Sequence, residues 1–464
     1  MVSGETYTRY SPLDHSVVGT VKFTAPNEAG EVINRGREAF AEWSRTTIEN
    51  RGRIVRKVAA TLERRGDKFA ALIRQETGKT LPAALGEISA ASEMGYLVSS
   101  HGRHPSGYTL PSAIDQRHIR VERIPLGVAL LIVTYNAPLP NYAWKSFPAL
   151  MAGNSVILKP SPTTALSANL FAEVLWDCGV PQDAFQVIHG EGEIAAAIIE
   201  GGVDLVSFTG SYATGVKVVH ATARTLAKTI VELGGSNPFI VCADADLDKA
   251  AEVAVDSAFS NAGQRCSSAS RVIIEDSVYS SFRELFVEKA NRLSFGMSPE
   301  VDVSTLINPE SVAAFEGFLG NVEEAGGSIL RLGTAVSEQR EGGCVAQPAL
   351  IEGLGIAHEL ASEEFFGPAT RFFSFTTDDE AAAAANSTEY GLTAAVWSRD
   401  IPRAERIVRA LEAGVISING PTHGAEINMP FGGVKNSGNG SRDAGVYSID
   451  QYSDTRVVST FFGA

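Results

Sequence analysis

From Gly127 onward, short apolar runs rich in β-branched residues alternate with Ala-rich amphipathic segments, and this alternation strongly limits the possible folds. Strand and helix in turn predict βαβ units, because two parallel strands need a crossover connection long enough to hold a helix. The runs predicted to be strands are 128–133, 155–159, 185–189, 204–209 and 229–232. The sequence therefore predicts a parallel α/β sheet, and such sheets bind ligands at the carboxyl ends of their strands.

A second strand–helix series begins after the adjacent Gly234 and Gly235. Its predicted strands are 239–242, 271–274 and 394–398, and its predicted helices are 250–260 and 280–291. The first hundred residues have helical spacing instead, with a C-terminal cap at Gly78, and an exposed strand is predicted near 118–122. We therefore expect two α/β lobes with a boundary near the paired glycines.

The composition disfavours several classes of protein. The chain has 464 residues, of which 44% are hydrophobic and 20% charged, as in an ordinary globular protein of more than one domain. A formal net charge of −15 disfavours a general nucleic-acid binder and a protein that docks on anionic membranes. The four cysteines form no CxxC pair, and no metal-ligand spacing is found among the eight histidines. No signal-peptide pattern is found, so we expect a reducing, cytoplasmic location and no membrane span.

Two glycine-containing loops follow predicted strands and resemble phosphate-binding turns. The loop 190–195 reads GEGEIA, but its two glutamates would repel a pyrophosphate, which favours an ordinary turn before a helix. The loop 208–215, FTGSYATG, opens a predicted helix whose N-terminus would attract an anion. Lys217 lies one position too late for a P-loop, which disfavours nucleotide hydrolysis. From the residues alone, phosphate binding and an ordinary turn are equally good interpretations of 208–215.

Cys266 lies in a glycine-containing stretch, 261–268, between a predicted helix and the strand that begins at Arg271. A lone cysteine is most often a small buried hydrophobic residue. The adjacent Arg265 would favour the thiolate, which is the nucleophilic form of the side chain. The local sequence is therefore compatible with a buried structural thiol and with a catalytic nucleophile.

Six motifs, in order along the chain, together resemble the aldehyde dehydrogenase superfamily. The segment 261–268, NAGQRCSS, is similar to the active-site cysteine motif of that family, and 231–238, VELGGSNP, is similar to its general-base motif. The segment 363–368, EEFFGP, resembles the motif that holds the nicotinamide ribose, and 430–438, PFGGVKNSG, resembles the C-terminal motif. The segments 159–161, KPS, and 208–211, FTGS, match the family's cofactor contacts.

The resemblance implies a fold, a reaction and an assembly. The implied fold is α/β, the aldehyde dehydrogenase fold, with a Rossmann-like cofactor domain (1–106 and 126–234), an α/β catalytic domain (235–435) and a bridging arm (107–125 and 436–464). Such arms complete the sheet of a partner subunit, so a homodimer or homotetramer is implied. The implied reaction is oxidation of a small-molecule aldehyde to its carboxylic acid with NAD or NADP and water.

The resemblance also assigns roles to individual residues. Cys266 is implied as the nucleophile that forms a thiohemiacetal and then a thioester, Asn136 as an oxyanion donor, and Glu232 as the base that activates water. The implied cofactor-binding residues are Lys159, Ser161, Thr209, Gly210, Ser211, Leu233, Gly234, Glu364 and Phe366. The implied substrate-pocket residues are Arg265, Trp144, Ala137 and Phe431. For Trp144, a plain core position is the alternative, and no metal site is implied.

Several residues modify the usual family pattern. Ala137 stands where the family usually has a bulky aromatic residue, which predicts a substrate tunnel that is either wider or more polar. Arg265 could hold the carboxylate or phosphate of an anionic aldehyde such as a semialdehyde, or it could tune the thiol or pair with a surface acid. Pro162 replaces a glutamate of many NAD-preferring members, so the choice between NAD and NADP stays open. His423 and Glu426 belong to a loop expected over the substrate mouth, as substrate contacts or as solvated loop residues.

Two other functions stay open at this point. A coenzyme A-acylating dehydrogenase is disfavoured by Glu232, because such members generally lack this glutamate. A catalytically silent structural or binding protein on the same fold is disfavoured because Cys266, Asn136 and Glu364 are retained as well. We expect a small-molecule substrate and a second copy of the chain as partners, with no nucleic acid and no membrane.

Overall fold

The computed structural model describes residues 5–104, 106–336 and 343–462. One sheet of this part of the chain has five strands, all paired in parallel. In spatial order they are Phe185–Val187, Ser155–Lys159, Val128–Ile132, Leu205–Gly210 and Lys228–Leu233. These are the five runs predicted from the sequence, with only their ends shifted, and we call them the first sheet.

The second sheet has seven strands. In spatial order they are Ser328–Arg331, Ala349–Glu352, Ala369–Phe375, Arg271–Glu275, Pro238–Val241, Thr393–Trp397 and Val415–Ile418. Only the pair at the edge, Ser328–Arg331 with Ala349–Glu352, is antiparallel. The first sheet ends at Leu233 and the second begins at Pro238, so the paired glycines lie between the two sheets.

The central strands are apolar on both faces, as expected for parallel sheets covered by helices on each side. Every residue of Val128–Ile132, Ser155–Lys159 and Pro238–Val241 is buried. Burying a large aliphatic side chain contributes about 1.5–3 kcal/mol, so these strands hold much of the stability of each lobe. The helices are Ala29–Trp43, Ile48–Arg64, Gly66–Thr77, Leu81–Ser99, Pro138–Ala152, Ala165–Cys178, Gly192–Glu200, Tyr212–Ala223, Leu247–Phe259, Tyr279–Asn291, Pro309–Glu324, Glu359–Ser362, Asp378–Asn386, Ile401–Ala410 and Ser448–Gln451.

One helix near the N-terminus ends at the residue that the sequence predicts. The helix Gly66–Thr77 ends at Gly78, whose φ of 74° is left-handed and whose N–H donates to the carbonyl of Arg74. This confirms the predicted cap. The helix Leu81–Ser99 begins after Thr80, whose hydroxyl accepts from the backbone N–H of Ala83.

The arm is a three-stranded antiparallel sheet. The C-terminal strand Ser453–Phe461 pairs with Arg117–Pro125, which pairs in turn with Gly107–Leu110. The strand near 118–122 is therefore confirmed, whereas Gly107–Leu110 escaped prediction because its surroundings are polar and contain Gly and Pro. The remaining short strands are Thr6–Tyr10, Val17–Lys22, Ser294–Phe295, Thr334–Ala335, Tyr390–Gly391 and Val434–Lys435.

Several loops converge at the carboxyl edge of the first sheet. The strands that end at Ile132, Gly210 and Leu233 are neighbours, so the segments after them start from one edge. Within the described ranges, no helix is both long enough and apolar enough to span a bilayer.

Candidate active site

A cavity of about 690 Å³ is lined by segments that belong to both sheets. The segments 134–137, 209–211 and 232–234 come from the ends of strands in the first sheet, and 265–267 comes from the loop that leads into the second. Cys266, Asn136 and Glu232 all line this cavity. The three residues predicted to carry out the chemistry therefore line the same cavity. Asn136 and Glu232 do so although they are more than 90 positions apart in the sequence.

Left-handed backbone precedes the cysteine. Asn261, Ala262 and Gly263 have φ values of 55°, 54° and 69°. Such a conformation is unfavourable for residues with a Cβ atom, so neighbouring contacts must hold it. The side-chain amide of Asn261 donates to the carbonyl of Gln264 at 3.1 Å, and that of Gln264 donates to the carbonyl of Thr305 at 3.2 Å. The loop is thus cross-linked before it reaches the thiol.

The backbone of the cysteine itself is also tied down. Asn237, in the segment between the sheets, donates from its side-chain amide to the carbonyl of Cys266 at 2.8 Å and to that of Ser268 at 2.9 Å. Burial raises the pKa of the Cys266 thiol to about 12, with the carboxylates of Glu232 and Glu364 acting in the same direction. Arg265 opposes this shift, but the thiol stays neutral near pH 7. Attack therefore requires removal of its proton.

Asn136 lies in the turn between the strand Val128–Ile132 and the helix Pro138–Ala152. It is only 9% exposed, and it lines the cavity together with Cys266. Its backbone carbonyl accepts from the amide of Asn261 at 3.3 Å. This bond joins the turn of the first lobe to the cysteine loop of the second.

Glu232 lies in the last strand of the first sheet and is 4% exposed. Its Oε1 is buried and has no hydrogen-bond partner among the described residues. Burial raises the pKa of Glu232 well above its ordinary value, and the charge of Asp443 raises it further, whereas Lys145 and Arg442 lower it. An unpaired buried carboxyl of raised pKa that faces a cavity is suited to take a proton from water.

A buried polar chain lies behind Glu232. The ammonium of Lys145 donates to the carboxylate of Asp443 at 2.5 Å and to the hydroxyl of Ser207 at 2.9 Å. Tyr452 donates to the same hydroxyl at 3.2 Å. Asp443 also lines the cavity, and its Oδ1 lacks a partner within the described ranges. No role is predicted from the sequence for Lys145 or Asp443; the signal available for Asp443 was an acidic residue in a segment rich in Gly and Ser.

One wall of the cavity fits a nicotinamide nucleotide. It contains Thr209, Gly210, Ser211, Leu233, Gly234, Glu364 and Phe366, which are seven of the predicted cofactor residues. The hydroxyl of Thr209 is buried without a partner in the described part of the chain. Ser211 precedes the helix Tyr212–Ala223, and its side chain does not cap that helix, so the terminal N–H groups are left for a phosphate.

The carboxylate of Glu364 lies close to the backbone at Gly234 and Gly235. Its carboxylate accepts from the N–H of Gly235 at 3.1 Å, and a Cβ at Gly234 would lie 2.0 Å from its Oε2. Only glycine permits this approach. Burial raises the pKa of Glu364 to about 7, while the Gly235 bond opposes the shift. A carboxylate fixed in this way suits a ribose hydroxyl.

The other two predicted cofactor residues, Lys159 and Ser161, do not line this cavity. Lys159 ends the strand beside Val128–Ile132, at the same sheet edge. Burial lowers the pKa of Lys159 to about 8, and the charges of Glu191 and Glu193 act in the opposite direction.

The substrate side of the cavity contains Arg265, Trp144, Ala137 and Phe431, the four residues predicted to form the pocket. The rings of Trp144 and Phe431 meet edge to face with centroids 6.4 Å apart. Trp144 therefore contacts the cavity as well as the core. Within the described ranges, the Nε of Arg265 is buried without a hydrogen-bond partner. The charge of Arg265 lowers the pKa of the Cys266 thiol and of Asp256, so binding of an anionic substrate, tuning of the thiol and pairing with an acid all stay open as predictions.

Neither His423 nor Glu426 lines the cavity, although their neighbours Gly424 and Ala425 do. His423 Nε2 instead lies 2.9 Å from a carboxylate oxygen of Asp256.

The three cysteines other than Cys266 are buried, as expected for structural thiols. Sequence reasoning missed Lys79 and Glu87, which line the cavity as an ion pair; no local pattern marks them.

A thiol, an amide and a buried carboxyl line one cavity, beside a sheet edge where a helix N-terminus could accept a phosphate. Such a set of groups is compatible with an α/β enzyme that uses a covalent intermediate. The sequence profile of the aldehyde dehydrogenase family matches residues 1–458. The chain belongs to the aldehyde dehydrogenase family, as the motifs predicted.

Solved structures agree with this assignment. Betaine aldehyde dehydrogenase from Staphylococcus aureus, solved in complex with NAD+, is 29% identical over 99% of this chain and 92% of that chain, with a TM-score of 0.95. An NAD-dependent aldehyde dehydrogenase from Sinorhizobium meliloti is 31% identical over 100% of this chain and 93% of that chain, also with a TM-score of 0.95. The predicted fold class is thereby confirmed.

Proposed function

We propose that this protein oxidises an aldehyde to its carboxylic acid, with a nicotinamide nucleotide as the oxidant and water as the source of the second oxygen. The observation that carries the proposal is that Cys266, Asn136 and Glu232 line one cavity whose wall also contains 209–211 and Glu364. The balanced reaction is RCHO + NAD(P)+ + H2O → RCOOH + NAD(P)H + H+.

Covalent catalysis begins at the thiol. The Cys266 thiol first loses its proton to solvent. The Sγ of the thiolate then forms a bond to the carbonyl carbon, the C=O double bond becomes a single bond, and the product is a thiohemiacetal anion. The oxygen that becomes negative accepts hydrogen bonds from the side-chain amide of Asn136 and from the backbone N–H of Cys266. Losing one such donor costs about 2.7–4 kcal/mol of barrier.

The cofactor wall would hold the oxidant. A bound nicotinamide ring supplies the acceptor for the hydride that leaves the thiohemiacetal carbon, which becomes a thioester. Glu364 would bind its ribose, Thr209 and the N-terminus of Tyr212–Ala223 would bind phosphate, and Lys159 with Ser161 would bind the adenosine ribose.

Hydrolysis then frees the enzyme. Glu232 removes a proton from a water molecule that attacks the thioester, and the sulfur leaves as thiolate. Asp443 and Lys145 lie behind Glu232 and adjust its proton affinity by their charges. A coenzyme A-acylating enzyme would release the acyl group to a thiol and would have no use for this carboxylate.

We propose that the substrate carries a negative charge. Arg265 lines the cavity beside the nucleophile, and the acids with which it interacts are already paired: Glu87 with Lys79, and Asp256 with His423. Its guanidinium is thus uncommitted and suited to a carboxylate or phosphate.

We propose NAD+ rather than NADP+ as the preferred cofactor. Glu191 and Glu193 interact electrostatically with Lys159, and these negative charges would repel a 2′-phosphate bound there. The relative from Staphylococcus aureus was solved with NAD+, and the enzyme from Sinorhizobium meliloti is NAD-dependent, which supports the same preference.

We further propose that 1–106 with 126–234 bind the cofactor, that 235–435 carry catalysis, and that 107–125 with 436–464 mediate assembly as a homodimer or homotetramer. Val457 and Phe461, both on the last strand of the arm, are 62% and 54% exposed. Apolar side chains exposed together in this way favour a surface that contacts another subunit. Light scattering of Val457→Asp should show a smaller assembly than the wild type; equal masses would overturn the arm's role.

The reaction is tested by following reduced cofactor at 340 nm with purified protein. The substrates are two matched pairs, succinic semialdehyde with butanal and 4-formylbenzoate with benzaldehyde, each with NAD+ and NADP+. We expect turnover with a preference for the anionic member of each pair and for NAD+. We expect Cys266→Ala to abolish this turnover. Cys178→Ala, which removes a buried thiol elsewhere, is the matched control.

The same assay separates the rival functions. Addition of coenzyme A should neither raise the rate nor yield an acyl-thioester product, and the appearance of that product would overturn hydrolysis. Turnover retained in Cys266→Ala would overturn the covalent mechanism. Faster turnover of butanal and benzaldehyde than of their anionic partners would overturn the substrate class alone.

A further inference from the structure

We infer that Lys79 and Glu87 are positioning residues whose buried ion pair fixes Asn136 as the oxyanion donor. The inference rests on the proposed function, since it assumes that the amide of Asn136 acts on the reacting oxygen. Neither residue belongs to a motif of the sequence, and both are brought to the cavity only by the fold.

The pair is formed in the interior of the protein. Lys79 follows the helix Gly66–Thr77, and Glu87 lies on the next helix, Leu81–Ser99. The ammonium of Lys79 contacts the carboxylate of Glu87, and each side chain is 7% exposed. A buried ion pair contributes little net stability, because desolvation offsets attraction, but it restricts the geometry of its members strongly.

Each member of the pair also bonds the turn that carries Asn136. The ammonium of Lys79 donates to the backbone carbonyl of Asn136. The second carboxylate oxygen of Glu87 accepts from the N–H of Leu139 at 3.2 Å. The ion pair thus bonds the turn at two points, the carbonyl of Asn136 and the N–H of Leu139.

The local sequence leaves this turn in need of outside partners. The helix begins at Pro138 and has Pro140 in its first turn, and proline supplies no N–H group. Leu139 is therefore the residue between them whose N–H must find a partner beyond the helix. Glu87 is that partner, so the start of the helix, and with it the direction of the preceding Asn136, is fixed by the ion pair.

The turn is also bonded to the cysteine loop. Asn261 donates to the carbonyl of Asn136 at 3.3 Å, so this carbonyl is shared between Lys79 and the segment that leads to Cys266. The turn that carries the Asn136 amide and the loop that carries the Cys266 thiol are thereby bonded to the same carbonyl group. A displacement of about 1 Å at such a site can lower a rate about 100-fold.

The experiment measures acylation of Cys266 by 4-nitrophenyl acetate, whose carbonyl forms the same kind of tetrahedral oxyanion and which needs no cofactor. The rate constant for nitrophenolate release is compared for the wild type and Lys79→Met/Glu87→Gln, which removes both charges and keeps the side-chain lengths. The same change is made in an Asn136→Ala background, with Cys266→Ala as the blank.

We expect the double change to slow acylation about tenfold when Asn136 is present and less than about twofold when it is absent, because its effect acts through that amide. Equal losses in the two backgrounds, or no loss in either, would overturn the positioning role. Asn136→Ala with an unchanged rate would overturn the proposed oxyanion donor itself, and this inference with it.

Two further variants exclude general damage to the fold. Val55→Ala, in a buried position of the helix Ile48–Arg64, lowers stability without touching the cavity, and its acylation rate should equal that of the wild type. If the double variant does not fold, Glu87→Gln alone gives the same comparison, because it removes the charge that orients Lys79. A dependence on Asn136 supports the inference there too, and its absence overturns it.

Discussion

The two walls of the cavity are built in different ways. Glu232 and Thr209 stand at the ends of parallel strands, where the regular backbone alone fixes their place. Cys266 stands in a loop that begins with left-handed residues. The side-chain amide of Asn237 donates to the carbonyl of Cys266, and that of Gln264 donates to the carbonyl of Thr305. The base and the cofactor contacts thus depend on the sheet, whereas the nucleophile depends on a set of long-range hydrogen bonds.

The difference has a chemical reason. The end of a strand is sufficient to present a carboxyl group or a glycine to a ligand, because the ligand contacts only one side chain or one backbone N–H there. In the proposed mechanism Cys266 uses both its thiol and its own backbone N–H, so the direction of the backbone must be fixed there as well as that of the side chain. Strain and cross-links are therefore concentrated on the cysteine side.

The largest effect is expected on the sheet wall. Glu232→Gln should lower kcat about 1,000-fold, because the thioester forms and is not hydrolysed. Stopped-flow absorbance at 340 nm should show a burst of reduced cofactor followed by a slow steady state. Glu426→Gln, near the mouth but outside the cavity lining, is the control, and an unchanged steady state in Glu232→Gln would contradict the assignment.

The next effect concerns selectivity on the cysteine wall. Arg265→Met should lower kcat/KM for 4-formylbenzoate about 30-fold, since a hydrogen bond between charged groups contributes about 1.5–3 kcal/mol. The value for benzaldehyde should change less than about twofold. Equal losses for both aldehydes would instead show that Arg265 acts on the thiol.

A glycine substitution tests the strained loop directly. Gly263→Ala places a Cβ 2.1 Å from the carbonyl oxygen of Gly367 at a φ of 69°, so we expect a loss of about 1–3 kcal/mol in unfolding free energy and slower labelling of Cys266 by iodoacetamide. Gly192→Ala, which meets nothing within 4 Å, should unfold like the wild type or later. Identical unfolding of the two variants would refute the contrast between the walls.

The pH profile tests the charges behind Glu232. The Asp443 carboxylate raises the pKa of Glu232, so Asp443→Asn should lower that pKa. Glu232 acts only when deprotonated, and the rise of kcat with pH should therefore move to lower pH by about one unit. Asp450→Asn, which removes a partly exposed partner of Arg123, should leave the profile in place; a shift to higher pH in Asp443→Asn would contradict the model.

The smallest effect is expected beside Lys159, which lies at the same sheet edge but outside the cavity lining. Glu191→Gln/Glu193→Gln removes two charges near Lys159 and should raise kcat/KM for NADP+ about threefold, with little change for NAD+. Steady-state kinetics with both cofactors measures this. A parallel change for both would mean that the glutamates act on the fold and not on the 2′ position.

All five strands of the first sheet were predicted, because buried parallel strands are continuous apolar runs between turn residues. Only three of the seven strands of the second sheet were predicted, and the four that were missed are Ser328–Arg331, Ala349–Glu352, Ala369–Phe375 and Val415–Ile418. The short strand Gly107–Leu110 could not be predicted, because all of its residues are exposed and it is defined by its partner Arg117–Pro125. The helix ends at Gly78 and Thr80 follow from local hydrogen bonding, which a local sequence encodes.

The sequence by itself determined the family, the strands of the first sheet, and the identity of a cysteine, an asparagine and a glutamate as candidates, because each depends on local pattern or on a contiguous motif. Only the tertiary structure decided that the Nε of Arg265 is buried without a hydrogen-bond partner among the described residues, that Asp443 raises the pKa of Glu232, and that Lys79 and Glu87 bond the turn of Asn136. These relations join residues far apart in the chain. Distance between side chains, and not their spacing in sequence, sets their energies.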